Sequence, residues 1–177
     1  AIELAASPNA DKALLARVET ELAAPDPARV HSLMEECRTA LLKLAEEERS
    51  QNIRQAMLSG LSGLGYEVRE GMETMWAENG KLILSNTARP GYGVEILGKN
   101  AKRVQLRPVA LTSNHDKSRD RDIETLFCGE VNGLQAHMAQ QGLELSIVQA
   151  RAVGEVPVKV IGSDEQREAM RPFARTM

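Results

Sequence analysis

The 177 residues fit one typical domain, or a domain carrying a substantial helical appendage. With 42% hydrophobic residues the chain can build a core, which separates it from disordered chains. Twenty-five acidic residues against 22 Lys plus Arg give a formal charge of −3, a balance that argues against histone-like binding to polyanions.

The chain opens with a predicted helix over Ala10–Ala23, where Leu14, Leu15, Val18 and Leu22 recur at helical separations between charged residues. Pro25 and Pro27 bracket Asp26. Asp26 can accept first-turn backbone N–H groups, and Pro27 is tolerated at the first helical position. A second helix therefore starts here, and the short gap predicts an antiparallel helical hairpin. In that second helix Met34, Cys37, Leu41 and Leu44 form one apolar stripe, and Ile53, Met57 and Leu61 resume it in another phase. The polar stretch EEERSQN between them allows a kink or break in residues 46–52. His31 reads as a surface residue and Glu46–Glu48 as a solvated helix face.

After SGLSGLG the texture changes. YEVRE alternates like a strand, and Asn79-Gly80 reads as a type I′ hairpin turn that joins METMWAEN to a return strand, KLILSN. GYGVEILG and KRVQLRPV predict a further antiparallel pair, with Val94, Ile96, Val104 and Leu106 toward the core. Glu95, Arg103, Gln105 and Arg107 fall on the opposite faces, and Pro108 points to an edge or a strand terminus. A helix follows over about 119–141, with Ile123, Leu126, Phe127, Val131, Leu134 and Met138 on its apolar side. Gly129 and Gly133 can permit close backbone approach, and Gly142 is placed to stop the helix. LELSIVQ and VPVKVI read as two more extended segments, and SDEQREAMRPFARTM as a short helix with a loose tail.

The fold expected is α+β, an N-terminal helical hairpin (residues 1–62) followed by a mainly antiparallel sheet covered by a long helix (residues 63–177). Trp76 is expected in the sheet–helix core, and Tyr92 in a packing role. No apolar run reaches the roughly 20 residues of a membrane-spanning helix, and the start lacks signal-peptide character, so a cytoplasmic location is expected. Cys37 and Cys128 form no CxxC pair and read as buried or part-buried thiols. No metal or cofactor motif is present, and the glycines form neither a P-loop nor a dinucleotide fingerprint.

Charge supplies the most distinctive local feature. From Lys99 to Arg121 seven Lys or Arg face two Asp, for a formal +5 in a chain of −3. Arg103, Arg107, Lys117, Arg119 and Arg121 are the candidate binding residues, since guanidinium groups direct bonds to phosphate or carboxylate. His115 with Asp116, Asp120 and Glu124 is the closest approach to acid–base chemistry, although the loop is expected to leave His115 exposed and unpaired. The leading functional expectation is a non-enzymatic protein-interaction or scaffolding module, which self-associates or binds a protein partner. A phosphate-backbone nucleic-acid-binding module is the alternative, and a small acid–base enzyme the third reading.

Overall fold

The computed structural model describes residues 5–6, 10–99 and 101–162. Its elements are α1 (Lys12–Ala23), α2 (Pro27–Gly63), α3 (Met72–Asn79), β1 (Lys81–Ser85), β2 (Tyr92–Leu97), β3 (Gln105–Ala110), a 3-10 turn (Lys117–Arg119), α4 (Asp120–Gln140) and β4 (Lys159–Val160). The fold is α+β: N-terminal helices, then a four-stranded sheet with a long helix packed against it. Two compact units divide between Ser50 and Gln51, inside α2 and before the boundary expected at residue 62.

In the first unit Asp11 caps α1 by accepting from the Ala13 and Leu14 N–H groups. Asp26 accepts from Ala28 N–H at 3.0 Å, with Pro27 as the first helical residue of α2. Proline costs nothing at this position, where its missing N–H would have had no helical partner. The helix runs unbroken through residues 46–52, so the polar stretch only changes which face is apolar.

In the second unit the rephased stripe becomes core. Met57, Leu58 and Leu61 of α2 are buried with Trp76, with Leu82 and Leu84 of β1, with Val94 and Ile96 of β2, and with Phe127, Leu134 and Met138 of α4. Each such side chain contributes about 1.5–3 kcal/mol relative to exposure. Strands β1, β2 and β3 are sequentially antiparallel, and β4 joins β3 in parallel through Val109 and Ala110. The Ala110 carbonyl accepts from Ile161 N–H on the β4 side. Pro108 shares the parity of Ala110, so its missing donor faces that same side, where β4 does not reach it.

Several expected strands are absent. METMWAEN is helix α3, and Gly80, at φ 69°, is its left-handed cap, donating its N–H to the Trp76 carbonyl. Asn79 keeps a negative φ, so no type I′ turn forms. YEVRE reduces to one bridge between Tyr66 and Asn86, and LELSIVQ is irregular. VPVKVI provides only the two residues of β4. Gly142, at φ 72°, follows the end of α4 as expected. Leu126, expected on the apolar side of α4, is 55% exposed. Gly129 has open space around it, an added Cβ at Gly133 would make an ordinary 3.5 Å contact with Leu64 Cδ2, and the tight approach occurs at Gly60, where it would lie 2.6 Å from Leu134 Cδ1. The segment SDEQREAMRPFARTM lies outside the described residues.

Candidate functional site

Among the described residues no helix is long and apolar enough to cross a membrane, and no three His, Cys, Asp or Glu are grouped to hold a metal ion. Cys37 is a half-buried free thiol. Cys128 is also free, but exposed rather than buried, because it lies off the stripe that α4 turns to the core.

The five candidate cations do not form one patch. Arg103 is exposed in the connection before β3, and Lys117, Arg119 and Arg121 are exposed beyond its other end. The whole of β3, roughly 20 Å of extended chain, lies between the two places in sequence. Arg107 lies between them and is engaged: its Nε donates to Glu95 Oε2 across the register that pairs these residues. Lys117, Arg119 and Arg121 remain close in sequence around the start of α4. Arg121 lies against the Gly154 backbone, and the neighbouring Glu124 accepts from Gly154 N–H.

Glu95 departs from the expectation of an outward polar face. Its side chain is 1% exposed, and it receives Arg107, Lys159 at 3.0 Å and Lys81 at 3.3 Å. Burial pushes its pKa up, but the bonds and charges of Arg107 and Lys159 outweigh burial and hold the carboxyl below its ordinary range. The signal was present in the sequence: a lone carboxylate in the apolar strand VEIL faces Arg107 once the hairpin register is drawn.

His115 also departs from expectation. Its side chain is 2% exposed and paired, with Nε2 3.1 Å from Asp120 Oδ1 and Nδ1 3.2 Å from the Thr112 carbonyl. Tyr92 meets the same group: its hydroxyl lies 3.0 Å from Asp120 Oδ1 and 2.9 Å from the Asp116 carbonyl, two acceptors that share its one proton, and its ring stands edge-on to the imidazole. Burial first, then the carboxylate of Asp120, push the Tyr92 hydroxyl up to about 12. A third cluster joins Tyr66, Arg89 and Glu130. The Tyr66 hydroxyl donates to Glu130 Oε2 at 2.6 Å, and Arg89 donates to Glu130 Oε1.

The first unit offers a different kind of surface. Leu14 is its one buried apolar side chain among the described residues, whereas Leu22, Met34 and Leu42 are 72%, 64% and 67% exposed. Cys37, Leu41 and Leu44 are half-buried. A groove of about 740 Å³ runs along α1 and α2, lined by Asp11, Leu14, Ser32, Thr39 and Ala40. Arg17 makes a two-point bond across it to Glu36, holding that carboxyl below its ordinary range.

Comparison with known proteins finds no match among family models, curated proteins or solved structures.

Proposed function

We propose that the chain is a non-enzymatic protein-interaction or scaffolding module that associates through its first helical unit, with a second copy as the first partner to test. The observation that carries this reading is the exposure of Leu22, Met34 and Leu42 on a first unit in which Leu14 is the one buried apolar side chain among the described residues. Leu22 and Met34 lie on the apolar stripes of α1 and α2, and in helical bundles a third or fourth helix covers the stripe that a pair leaves open. The acid–base groups support the same reading from the other side. His115 has both ring nitrogens facing internal acceptors, and Glu95 is enclosed by its cations, so both are engaged within the fold.

Hydroxyl-radical footprinting of the intact chain tests this. Leu22, Met34 and Leu42 should lose reactivity as the protein is concentrated or meets its partner, while Leu126 keeps its own. Unchanged reactivity at all three positions under both conditions would count against the reading.

The phosphate-binding alternative now rests on Lys117, Arg119 and Arg121, which stay exposed near one another. It requires binding that weakens with salt and with neutralisation of these residues across unrelated nucleic-acid sequences. A titration at two salt concentrations decides it, and the absence of binding by the folded chain removes it.

A further inference from the structure

We propose that residues 146–151 form a processing arch, at which an endopeptidase that accepts small aliphatic side chains cuts the folded chain after Val148 or after Ala150. The connection from α4 to β4 runs 18 residues, 141–158, without a helix or strand. Connections longer than about 12–15 residues are uncommon in compact domains, and those that occur are usually functional segments or linkers. This one is pinned to α4 at two points. The Leu145 carbonyl accepts from Gln135 Nε2 at 2.8 Å, and the Gly154 N–H donates to Glu124. Eleven residues of helix set those anchors about 16 Å apart, whereas the nine residues from Leu145 to Gly154 reach about 30 Å when extended. The chain between the pins is longer than the gap it crosses.

The surplus stands in solvent. Twelve consecutive residues, 146–157, are exposed, with Ile147 at 51% and Val148 at 77%. Among the described residues, no backbone group of residues 146–151 has a hydrogen-bond partner. A protease holds its substrate as an extended strand, through main-chain hydrogen bonds, so a stretch whose N–H and C=O groups are unbonded can be seated without breaking structure. Other connections do not meet that demand. Residues 24–26, between α1 and α2, are too few. Residues 86–91, between β1 and β2, are tied by the Asn86 N–H to the Tyr92 carbonyl and by the Thr87 N–H to the Gly65 carbonyl.

Hydrolysis adds one water across the peptide bond. It leaves a carboxylate on Val148 and an amine on Gln149, or the same pair on Ala150 and Arg151. The piece beyond the cut stays seated. Val158 and Ile161 are buried, Lys159 and Val160 pair with Val109 and Ala110 of β3, and the Lys159 ammonium meets Glu95 at 3.0 Å. Gly154 keeps its bond to Glu124. The cut therefore severs the covalent path between α4 and β4 while both remain in place.

Limited digestion of the full native chain with an elastase-type serine protease, whose pocket takes small side chains, tests this. Mass spectrometry reads the order of the internal cuts, apart from any trimming of the two ends. The first internal cut should follow Val148 or Ala150, and the cut chain should elute with the uncut one until denaturant separates the pieces. The Val148→Asp/Ala150→Asp variant alters exposed positions and should slow that cut about tenfold or more, because a charged side chain is refused by a small apolar pocket. Gln149→Pro/Arg151→Pro should slow it too, since each proline removes the N–H of the bond that is cut, and neither N–H is used in the fold. A first internal cut elsewhere, pieces that part without denaturant, a cut equally fast in either variant, or a native chain that resists protease sufficient to digest its unfolded form overturns the proposal.

Discussion

Glu95 sits within β2 with its charge met by Lys81, Arg107 and Lys159, and those cations keep about a third of their own surface in water. Removing the carboxylate charge leaves three cations facing one another, so Glu95→Gln should cost about 2–3 kcal/mol at neutral pH. That lies below the roughly 3–5 kcal/mol of fully enclosed pairs, because the cations can turn to solvent. The folded carboxyl titrates below its unfolded counterpart. Its contribution is therefore complete above the unfolded pKa and disappears as pH falls through the folded one. Urea unfolding of both chains at about pH 7 and again under acid should show the gap closing. A gap that holds steady in acid would mean that Glu95 acts through packing instead of charge. Trp76, the sole tryptophan, is fully buried and donates to the Gly98 carbonyl at 2.8 Å. Trp76→Phe leaves that carbonyl without its donor and opens a void, at about 2–3 kcal/mol by denaturant melts.

Two glycines on facing helices separate packing from propensity. At Gly60 of α2 an added Cβ would meet Leu134 Cδ1 at 2.6 Å and His137 Cδ2 at 3.0 Å. At Gly129 of α4 it would meet nothing within 4 Å. Gly129→Ala should therefore raise stability by about 0.5–1 kcal/mol, and Gly60→Ala should lower it by about 1–2 kcal/mol as overpacking exceeds the same propensity gain. Thermal melts of the two single variants check both signs at once. The helices were legible because their apolar positions repeat over many turns and because Asp26-Pro27 and Gly142 mark their ends. The reading of METMWAEN failed for a specific reason. Asn-Gly favours left-handed backbone, and the same preference serves a hairpin turn or a helix cap; over eight residues, Met72 and Trp76 give only one helical repeat. LELSIVQ alternates like a strand but finds no pairing partner among the described residues, and alternation alone cannot supply one.

At the scale of the whole chain, composition and element order were enough to give an α+β fold with a helical start, since runs of helix and runs of strand segregate in sequence. The candidate site was less legible. Arg103 and Arg119 belong to one basic stretch in sequence, yet β3 places them at its two ends, and Arg107 between them is occupied by Glu95. The His115–Asp120–Tyr92 cluster needed the fold to bring β2 beside the start of α4, a contact that no local spacing encodes. The proposed association of the first unit rests on the apolar side chains it leaves exposed. The most direct test is the light-scattering mass of the full chain across a wide concentration range, alongside a Leu22→Ser/Met34→Ser/Leu42→Ser variant. The account predicts a mass that rises from one chain toward an assembly in the unaltered protein and stays at one chain in the folded variant. A single-chain mass at every concentration, or an assembly that the triple variant forms equally well, would contradict association through these residues.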